Sequence, residues 1–279
     1  MNKIYYILLI VLLFFSNSCT DIITLDLKTS EPKIIIEANL TASDSTCTVK
    51  VTKSNSFYDN TSPEKVSDLN IVLTKNSSEN FYLTEIEDGE YFIEDIVANP
   101  KDEFSISITD SNDVSYNASA ITPSNPGPFL VIFKSPFEDE DIIVPDSNGV
   151  DRVMLMGLAF WLDIPNEENF FRFKIYINDK YQDDFIFLDD KQADQDSNKI
   201  QMGLGRFFVG DTATIKLLTI NEDTYDYFLQ LDEVIYSSMN STTPYNPKSN
   251  FDNDALGYFC IQQVVEQEFI VQKFPSFKK

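Results

Sequence analysis

Residues 83–93 read LTEIEDGEYFI, a pattern that indicates an all-β fold class. Asp88-Gly89 is a dipeptide favoured in two-residue β-hairpin turns, whose central residues adopt positive φ. The flanking segments Leu83-Thr84-Glu85 and Tyr91-Phe92-Ile93 contain the β-branched and aromatic residues that strands favour. We therefore predict an antiparallel hairpin here. The same pattern of short apolar runs and polar turns continues in both directions.

Residues 33–121 have the pattern of an all-β domain. Short runs of Val, Ile, Thr, Tyr and Phe alternate there with Asn, Asp, Ser and Gly. The candidate strands are 33–40, 46–54, 69–75, 80–85, 90–96, 103–109 and 114–120. Seven strands in about ninety residues are typical of an immunoglobulin-like sandwich, and we predict one over 33–121.

A Pro-rich stretch, 122–128, separates this part from a second β domain at 129–279. Residues 152–164, RVMLMGLAFWLDI, are apolar at nearly every position, which predicts a central strand covered on both faces. Residues 171–177 alternate between apolar and polar side chains and predict a half-buried strand. Further candidate strands are 182–188, 200–208, 212–220, 256–265 and 267–273. The acidic stretch 138–149 is predicted to be an exposed loop.

One segment of the second domain has helical periodicity. Asn221 is a candidate N-cap, and Glu222 and Asp223 place acids in the first turn, where the helix dipole favours them. The apolar residues that follow recur at helical spacing as far as residue 239. The predicted fold class is therefore mainly β: two antiparallel β-sandwich domains, the first immunoglobulin-like and the second with one helix at about 221–239.

The N-terminus carries a targeting signal. Residues 1–18 contain Lys3 followed by an unbroken apolar run from Ile4 to Phe15, which predicts a signal peptide. Cys19 follows directly, so we predict a lipoprotein with lipids such as palmitate on Cys19 and a tether over 19–32. Such chains contribute about 0.8 kcal/mol for each buried CH₂, enough to hold a soluble body at a membrane. The alternative is an ordinary cleaved signal with a chance cysteine nearby.

Charge and composition exclude several functions. The chain has 45 acidic residues, 21 basic residues, no histidine and a net charge of -24. Nucleic-acid binding needs clustered Lys and Arg, so we exclude it. Without histidine there is no Ser-His-Asp or Cys-His catalysis, and we expect no enzyme. Cys47 and Cys260 share the phase of apolar strand residues, which favours two buried free cysteines over a disulfide.

Two acidic loops are candidate cation sites. Asp194, Asp196 and Asn198 place oxygen ligands at alternate positions, as calcium loops do. However, Lys199 stands where an EF-hand has its turn glycine, so a solvated loop is the competing interpretation. A second, weaker candidate consists of Asp146, Asn148 and Asp151. No other cofactor is expected.

Aromatic residues suggest a binding surface in one case and core packing in another. Tyr58, Tyr116, Tyr176 and Tyr181 fall on polar phases or in loops and are candidates for a ligand-binding surface. Scattered exposed tyrosines are the competing interpretation. Trp161 lies inside the doubly apolar strand, where packing in the core is the favoured role.

Several short motifs carry a resemblance to a known family. In chain order they are Cys19, Pro32–Ala38 (PKIIIEA), Gly210-Asp211-Thr212, Tyr225–Leu229 (YDYFL), Asn246-Pro247, Asn250 and Leu256–Phe259 (LGYF). The chain resembles the Bacteroidota lipoproteins of the domain of unknown function 4249. That resemblance implies a lipid-anchored outer-membrane protein of two β domains, often encoded beside a TonB-dependent receptor. The family has no established catalytic residues.

The resemblance also has implications for cellular localisation and for covalent modification. Thr20-Asp21 after the cysteine is similar to the start of many Bacteroidota lipoproteins, and we expect the outer membrane, in either leaflet. Asp211-Thr212-Ala213 matches the three-residue sequon that this phylum uses for O-glycosylation, which makes Thr212 a candidate site. The start of a strand is the competing interpretation for this triplet.

The sequence supports two main functional hypotheses, and a third is less favoured. The first is an accessory lipoprotein that binds a protein partner, an outer-membrane β-barrel of the TonB-dependent receptor class, in uptake or envelope assembly. The alternative is a glycan- or peptide-binding surface module that captures nutrient directly. A carboxylate-based hydrolase is the third, because with so many acids some pair will meet the required distance.

Overall fold

The computed structural model describes residues 31–55, 61–137, 140–164, 167–192, 199–237 and 245–274, with only the backbone for 183–185 and 192. The strands are β1 (Ile34–Thr41), β2 (Thr46–Lys53), β3 (Asn70–Lys75), β4 (Glu79–Tyr82), β5 (Thr84–Glu87), β6 (Glu90–Ile93), β7 (Glu103–Thr109), β8 (Ser115–Ile121), β9 (Phe129–Lys134), β10 (Ile142–Pro145), β11 (Asp151–Leu162), β12 (Phe170–Ile177), β13 (Lys180–Asp189), β14 (Lys199–Phe208), β15 (Thr212–Ile220) and β16 (Leu256–Ile270). One α-helix, α1 (Glu222–Ser237), lies within the predicted helical segment.

These strands form three sheets. The largest has eight strands in the order β13-β12-β15-β16-β1-β2-β6-β5. A second has the order β4-β3-β7-β8, and a third has the order β10-β11-β14 with β9 also paired to β11. The mainly β, sandwich-type fold class is therefore confirmed. No helix within the described ranges is long and apolar enough to cross a membrane.

The eight-stranded sheet contains strands from both sides of the Pro-rich stretch 122–128. Its β1 pairs in parallel with β16, from Ile35 opposite Leu256 to Thr41 opposite Gln262, and antiparallel with β2. Residues from Pro32 onward form one compact unit. The boundaries 33–121 and 129–279 stay a prediction, and the parts of the chain that they separate share this sheet.

Two large hydrophobic cores and one smaller cluster lie against this sheet. The first packs residues of β1, β2 and β6 against β3 and β7, with Leu40, Leu73 and Phe104 fully buried. The second packs β12 and β15 against β9, β11 and β14. Trp161 is only 3% exposed there and meets the rings of Phe171 and Phe173 at 5.3 and 5.2 Å. Its predicted role in core packing is confirmed.

The prediction that strand 152–164 is covered on both faces is wrong. Only the face with Leu155, Ala159 and Trp161 is buried in the second core. On the opposite face Phe160 is half-buried and Leu162 is 61% exposed. Apolar periodicity shows that both faces can be buried, but the number of layers is fixed by the rest of the chain.

Other strands differ from the predicted ones in extent. The predicted strands 256–265 and 267–273 are one strand, β16, because Glu266 pairs with Lys216 across the sheet instead of beginning a turn. The predicted strand 80–85 is divided at Leu83, which is buried in the first core. β9 was not predicted, and β10 lies within the predicted loop 138–149. The hairpin around Asp88-Gly89 is confirmed as β5–β6.

Both cysteines of the described chain are buried and free, as predicted. Burial raises the pKa of the Cys47 thiol to about 12. Burial also raises the pKa of Cys260, to about 11. Both thiols are therefore protonated at neutral pH and act as small apolar side chains.

Asn250 has a structural role that we expect to be measurable. Its amide donates to the carbonyl of Phe259 at 2.9 Å and accepts from the same residue's N–H at 2.8 Å, where β16 extends beyond the end of its pairing with β15. Asn250→Ala leaves both backbone groups without this partner and should cost about 1–3 kcal/mol of unfolding free energy. Urea denaturation measures the loss. Asn80→Ala, at an exposed position on β4, is the control and should change stability by less than about 0.5 kcal/mol. Equal effects of the two variants would contradict this role.

Candidate functional site

Part of the predicted set of site residues lies outside the described residues. These are Cys19, the calcium candidates Asp194, Asp196 and Asn198, and Tyr58. Lipidation and calcium binding at these positions therefore stay predictions. Among the described residues, no group of three or more Cys, Asp or Glu side chains is arranged to hold a metal ion.

Thr212 lies at the start of β15 beside a polar cluster centred on the buried carboxylate of Asp211. The carboxylate of Asp211 accepts hydrogen bonds from Arg152 at 2.8 Å and from Asn178 at 3.0 Å. The Asn178 side-chain oxygen in turn accepts from the Thr212 N–H at 3.0 Å. This cluster gives the Gly210-Asp211-Thr212 motif a structural role, and O-glycosylation of Thr212 stays a prediction.

The second acidic loop, at 146–151, closes the β10–β11 hairpin. One oxygen of Asp146 accepts the N–H groups of Asn148 and Val150 at 2.8 and 3.1 Å. The other oxygen lies 3.6 Å from Arg152. These backbone hydrogen bonds, with a smaller contribution from Arg152, lower the pKa of Asp146. Its carboxylate is thus engaged by the hairpin itself.

A cavity of about 590 Å³ lies on one face of the eight-stranded sheet, beside α1. We call it the sheet-face cavity. It is lined by Glu37, Asn39, Thr41, Thr48, Arg172, Lys174, Tyr176, Tyr181, Phe228, Tyr258 and Gln262. These residues come from β1, β2, β12, β13, β16 and α1, so the cavity exists only when distant parts of the chain are brought together.

Strand alternation explains why β12 contributes so much to this cavity. Successive side chains point to opposite faces of a sheet. Phe171, Phe173 and Ile175 are therefore buried in the second core. Arg172, Lys174 and Tyr176 point to the other face and line the cavity.

Aromatic side chains line both ends of the sheet-face cavity. At the helix end, Phe228 packs on Phe187 with ring centroids 5.3 Å apart and on Tyr258 at 4.9 Å. At the other end Tyr176 and Tyr181 lie 5.3 Å apart, and Tyr181 is 37% exposed. Two of the four predicted surface tyrosines are thus brought together.

Tyr116, another of the predicted tyrosines, lies elsewhere. It lines a separate cavity of about 200 Å³ beside Asp110 and Ile108. Its side chain is half-buried, and burial, with a smaller contribution from Asp110, raises its pKa. Tyr116 is therefore not part of the surface that Tyr176 and Tyr181 form.

Two cations that line the sheet-face cavity have no acidic partner among the described side chains. The Arg172 guanidinium lies over the rings of Phe228 and Phe187, at 4.3 and 5.3 Å from their centroids. Lys174 is half-buried. Within the part of the chain that the structure describes, neither cation forms an ion pair or a side-chain hydrogen bond. Burial, together with Arg172 and Lys216, lowers the pKa of Lys174 to about 8.

Neither cation was among the predicted site residues, and neither was the cavity lining from β1 and β16. The alternation in 171–177 indicated the polar face of a half-buried strand, and it was the available signal for Arg172 and Lys174. No local signal indicated that Asn39 and Tyr258 would share that face, because their strands are joined only by the parallel β1–β16 pair.

These features define the class: a mainly β protein whose described residues form a central eight-stranded sheet, one α-helix, and an aromatic and cationic cavity on the face of that sheet. The chain belongs to the family described as Domain of unknown function (DUF4249), whose model matches residues 20–268. Among curated proteins no match was found.

Two solved structures show weak similarity. One is described as a cytokine receptor complex in its second crystal form: 6% identity, 69% of this chain and 92% of that chain covered, and a TM-score of 0.25. The other is the Yersinia pseudotuberculosis adhesin InvE: 14% identity, 67% of this chain and 55% of that chain covered, and a TM-score of 0.20.

Proposed function

We propose that this protein is a non-enzymatic binding module of the cell envelope, held at the outer membrane by lipid on Cys19, that captures a glycan or peptide in the sheet-face cavity. The observation that carries the proposal is the pair Tyr176–Tyr181 at the exposed end of a cavity with a polar floor. Ligand sites in proteins combine aromatic walls with a few convergent polar groups in this way.

The floor of the cavity supports binding through neutral hydrogen bonds. It contains the amide side chains of Asn39 and Gln262 and the hydroxyls of Thr41 and Thr48. Gln262 donates to the Thr41 hydroxyl at 2.8 Å, which orients both groups. Amides and hydroxyls are donors and acceptors suited to sugar hydroxyls or peptide groups.

The same lining favours binding over hydrolysis. Glycoside hydrolysis generally uses two carboxylates on opposite sides of the scissile bond. Among the described side chains that line the sheet-face cavity, Glu37 is the single carboxylate. The carboxylate-hydrolase hypothesis therefore has no support at this cavity.

Loss of the exposed tyrosine should abolish most of the binding. We expect the intact lipoprotein in mild detergent to bind members of a panel of oligosaccharides and short peptides by isothermal titration. Tyr181→Ala should weaken binding at least tenfold, because the ring supplies contact area at the exposed end of the cavity. Tyr82→Ala is the control, since Tyr82 is exposed on β4 and does not line the cavity. No binding to any panel member, or equal affinities in both variants, would overturn the proposal.

A second candidate function is binding to an outer-membrane receptor of the TonB-dependent class. It is favoured by the outer face of the third sheet, formed by Met156, Leu158, Phe160 and Leu162 of β11 and Leu130 of β9. These side chains are apolar and half-buried or exposed. Such an apolar face is unusual on a soluble body.

Charge supports a partner with acidic side chains on this outer face. Lys134 and Arg206 lie opposite Met156 in the neighbouring strands, and Lys199 lies opposite Leu162. All three cations are exposed, and Asp151 is the single acid in β9, β11 and β14. In a chain of net charge -24, this face is thus locally cationic. A complementary partner surface would be acidic at its rim and apolar at its centre.

Site-specific crosslinking tests this second candidate. A photo-crosslinking residue at Leu162 should trap a TonB-dependent receptor, identified by mass spectrometry, whereas the same residue at Tyr82 should not. A receptor trapped from neither position, or equally from both, would exclude this surface as its docking site.

A further inference from the structure

We propose that Arg172 and Lys174 form an anion subsite in the sheet-face cavity, and that the ligand is an acidic glycan, an oligosaccharide bearing carboxylate or sulfate groups. This inference rests on the proposed function, because it names the class of ligand that the cavity captures. Its test is arranged so that the two proposals fail in different ways.

The two cations are placed to act on one group. They are two residues apart on β12 and face the same side of the sheet, so their Cα atoms are roughly 7 Å apart. Both line the cavity, and both are half-buried instead of extended into solvent. An anion between the two side chains would contact both.

Among the described side chains neither cation has an acidic partner, which is unusual in this chain. Acids outnumber bases by 45 to 21, and neighbouring cations do find them. Lys216, directly opposite Lys174 on β15, forms an ion pair with Glu266 at 2.6 Å. Like charges opposite one another in a sheet are destabilising, so the pairing of Lys174 with Lys216 has an energetic cost that a bound anion would remove.

Arg172 is oriented for recognition of an oxyanion. Its guanidinium face is occupied by the Phe228 and Phe187 rings. Stacking uses the face of the group and leaves the N–H groups at its edge, in a planar fork that matches carboxylate and sulfate oxygens. The rings thereby hold the fork in position before ligand arrives.

Position on the sheet favours a glycan over a peptide. Extended peptides commonly bind by adding a strand to a free sheet edge, where main-chain groups are available. The sheet-face cavity is floored by β1, β12 and β16, whose main-chain groups are used within the sheet. What the face offers is side chains: the Tyr176 and Tyr181 rings for the apolar faces of sugars, and amides and hydroxyls for sugar hydroxyls.

The charges around Lys174 also favour one orientation of the ligand in the cavity. Among the side chains that the structure describes, the titratable and charged groups around it are Arg172, Tyr176, Tyr181, Lys216, Glu266, Tyr258, Cys260, Tyr227 and Glu37. Glu37 is the acid that lines the cavity, and it lies on β1, across the cavity from β12. It repels an anion, so the charged group of the glycan belongs at β12 and its neutral hydroxyls at β1.

Titration of Lys174 predicts a pH dependence. Its pKa is lowered to about 8 in the free protein by burial first and by Arg172 and Lys216 next. A bound anion raises this pKa, so binding and protonation support each other. Affinity for an acidic glycan should therefore be constant below pH 7 and fall as the pH rises above about 8. Arginine does not titrate in this range, so Lys174→Arg should bind without this pH dependence.

The test compares matched probes on the intact lipoprotein in detergent. Tetragalacturonate is the acidic probe, galactotetraose the neutral probe, and tetraglutamate the peptide probe, each titrated calorimetrically at about 0.15 M salt. We expect tetragalacturonate to bind at least tenfold more tightly than the other two. Arg172→Gln and Lys174→Gln should each lower its affinity at least tenfold, whereas Lys134→Gln, at an exposed position on β9 away from this cavity, should leave it unchanged.

Each of the other possible binding results would contradict one specific element of the proposals. If galactotetraose binds as tightly as tetragalacturonate, the anion subsite is wrong and the proposed function stands. If tetraglutamate binds most tightly, the ligand is a peptide and the glycan assignment is wrong. If no probe binds to a protein with native circular dichroism, both proposals are overturned at this cavity. Lys174→Arg keeps the test valid where a neutral variant fails to fold: loss of binding in this variant, or an unchanged pH profile, contradicts the role of the Lys174 charge.

Discussion

Gly257→Ala should destabilise the protein by more than about 3 kcal/mol and prevent accumulation of soluble chain. Gly257 has a φ of +96°, in the range that residues with a side chain rarely adopt. A Cβ at this position would lie 1.9 Å from the carbonyl oxygen of Ile36 and 2.8 Å from its nitrogen. Because the obstacle is the backbone of β1, the neighbour cannot move aside without breaking the pairing of β1 with β16.

Thermal unfolding followed by circular dichroism, with the yield of soluble protein, measures this effect. Gly203→Ala is the matched control: Gly203 also lies in a strand, and a Cβ added there would have no neighbouring atom within 4 Å. We expect the control to unfold within a few degrees of the natural protein. A Gly257→Ala protein with the natural melting temperature would show that the β1–β16 pair does not have the described geometry.

Lys174→Met should stabilise the protein by about 3 kcal/mol at pH 7. The folded protein lowers the pKa of Lys174 to about 8, chiefly by burial. The unfolded chain keeps the ordinary lysine value of about 10.4, and each unit of difference corresponds to about 1.36 kcal/mol. Folding therefore moves a charged ammonium group into a half-buried position, which costs free energy at neutral pH. Methionine has a similar shape without that charge.

The stability gained by Lys174→Met should itself depend on pH. Below about pH 8 both states hold the proton and the full cost is present. Between about pH 8 and 10.4 the folded state releases the proton while the unfolded state keeps it, so the stability of the natural protein rises with pH. The advantage of Lys174→Met in urea denaturation should therefore shrink across this interval. Lys50→Met, on the exposed side of β2, should show no such trend. A Lys174→Met protein that is less stable than the natural one at pH 7 would refute the explanation.

Local structure was predictable where it depends on neighbouring residues in the sequence. The Asp88-Gly89 turn, the alternation in 171–177 and the helix at Glu222–Ser237 all follow from local chemistry. The apolar phase of Cys47 and Cys260 was also sufficient to predict their burial. The predicted strand boundaries were wrong where a contact with a distant residue determines the length of a strand. Glu266 is an example, because it continues β16 where Lys216 lies beside it.

The candidate site was only partly predictable, for the same reason. Tyr176 and Tyr181 were recognised because they lie on polar phases, and they do meet. Lys174 was overlooked because a lysine on a polar phase is ordinarily a solvated residue. Its environment is set by Lys216, and by Arg172 held against the rings of Phe228 and Phe187. Asn250 belonged to a recognised motif, but its role became clear only from its hydrogen bonds to Phe259.

The parallel pairing of β1 with β16 also limits how early during synthesis the sheet can fold. Thr41 and Gln262, partners in this pair, are 221 residues apart in the chain. At synthesis rates of about 5–20 residues per second, β1 waits roughly 10–45 s for its neighbour to be made. During this interval the centre of the eight-stranded sheet cannot close, however early the hairpins form. The eight-stranded sheet is therefore completed only after β16, its last strand in chain order, has been synthesised.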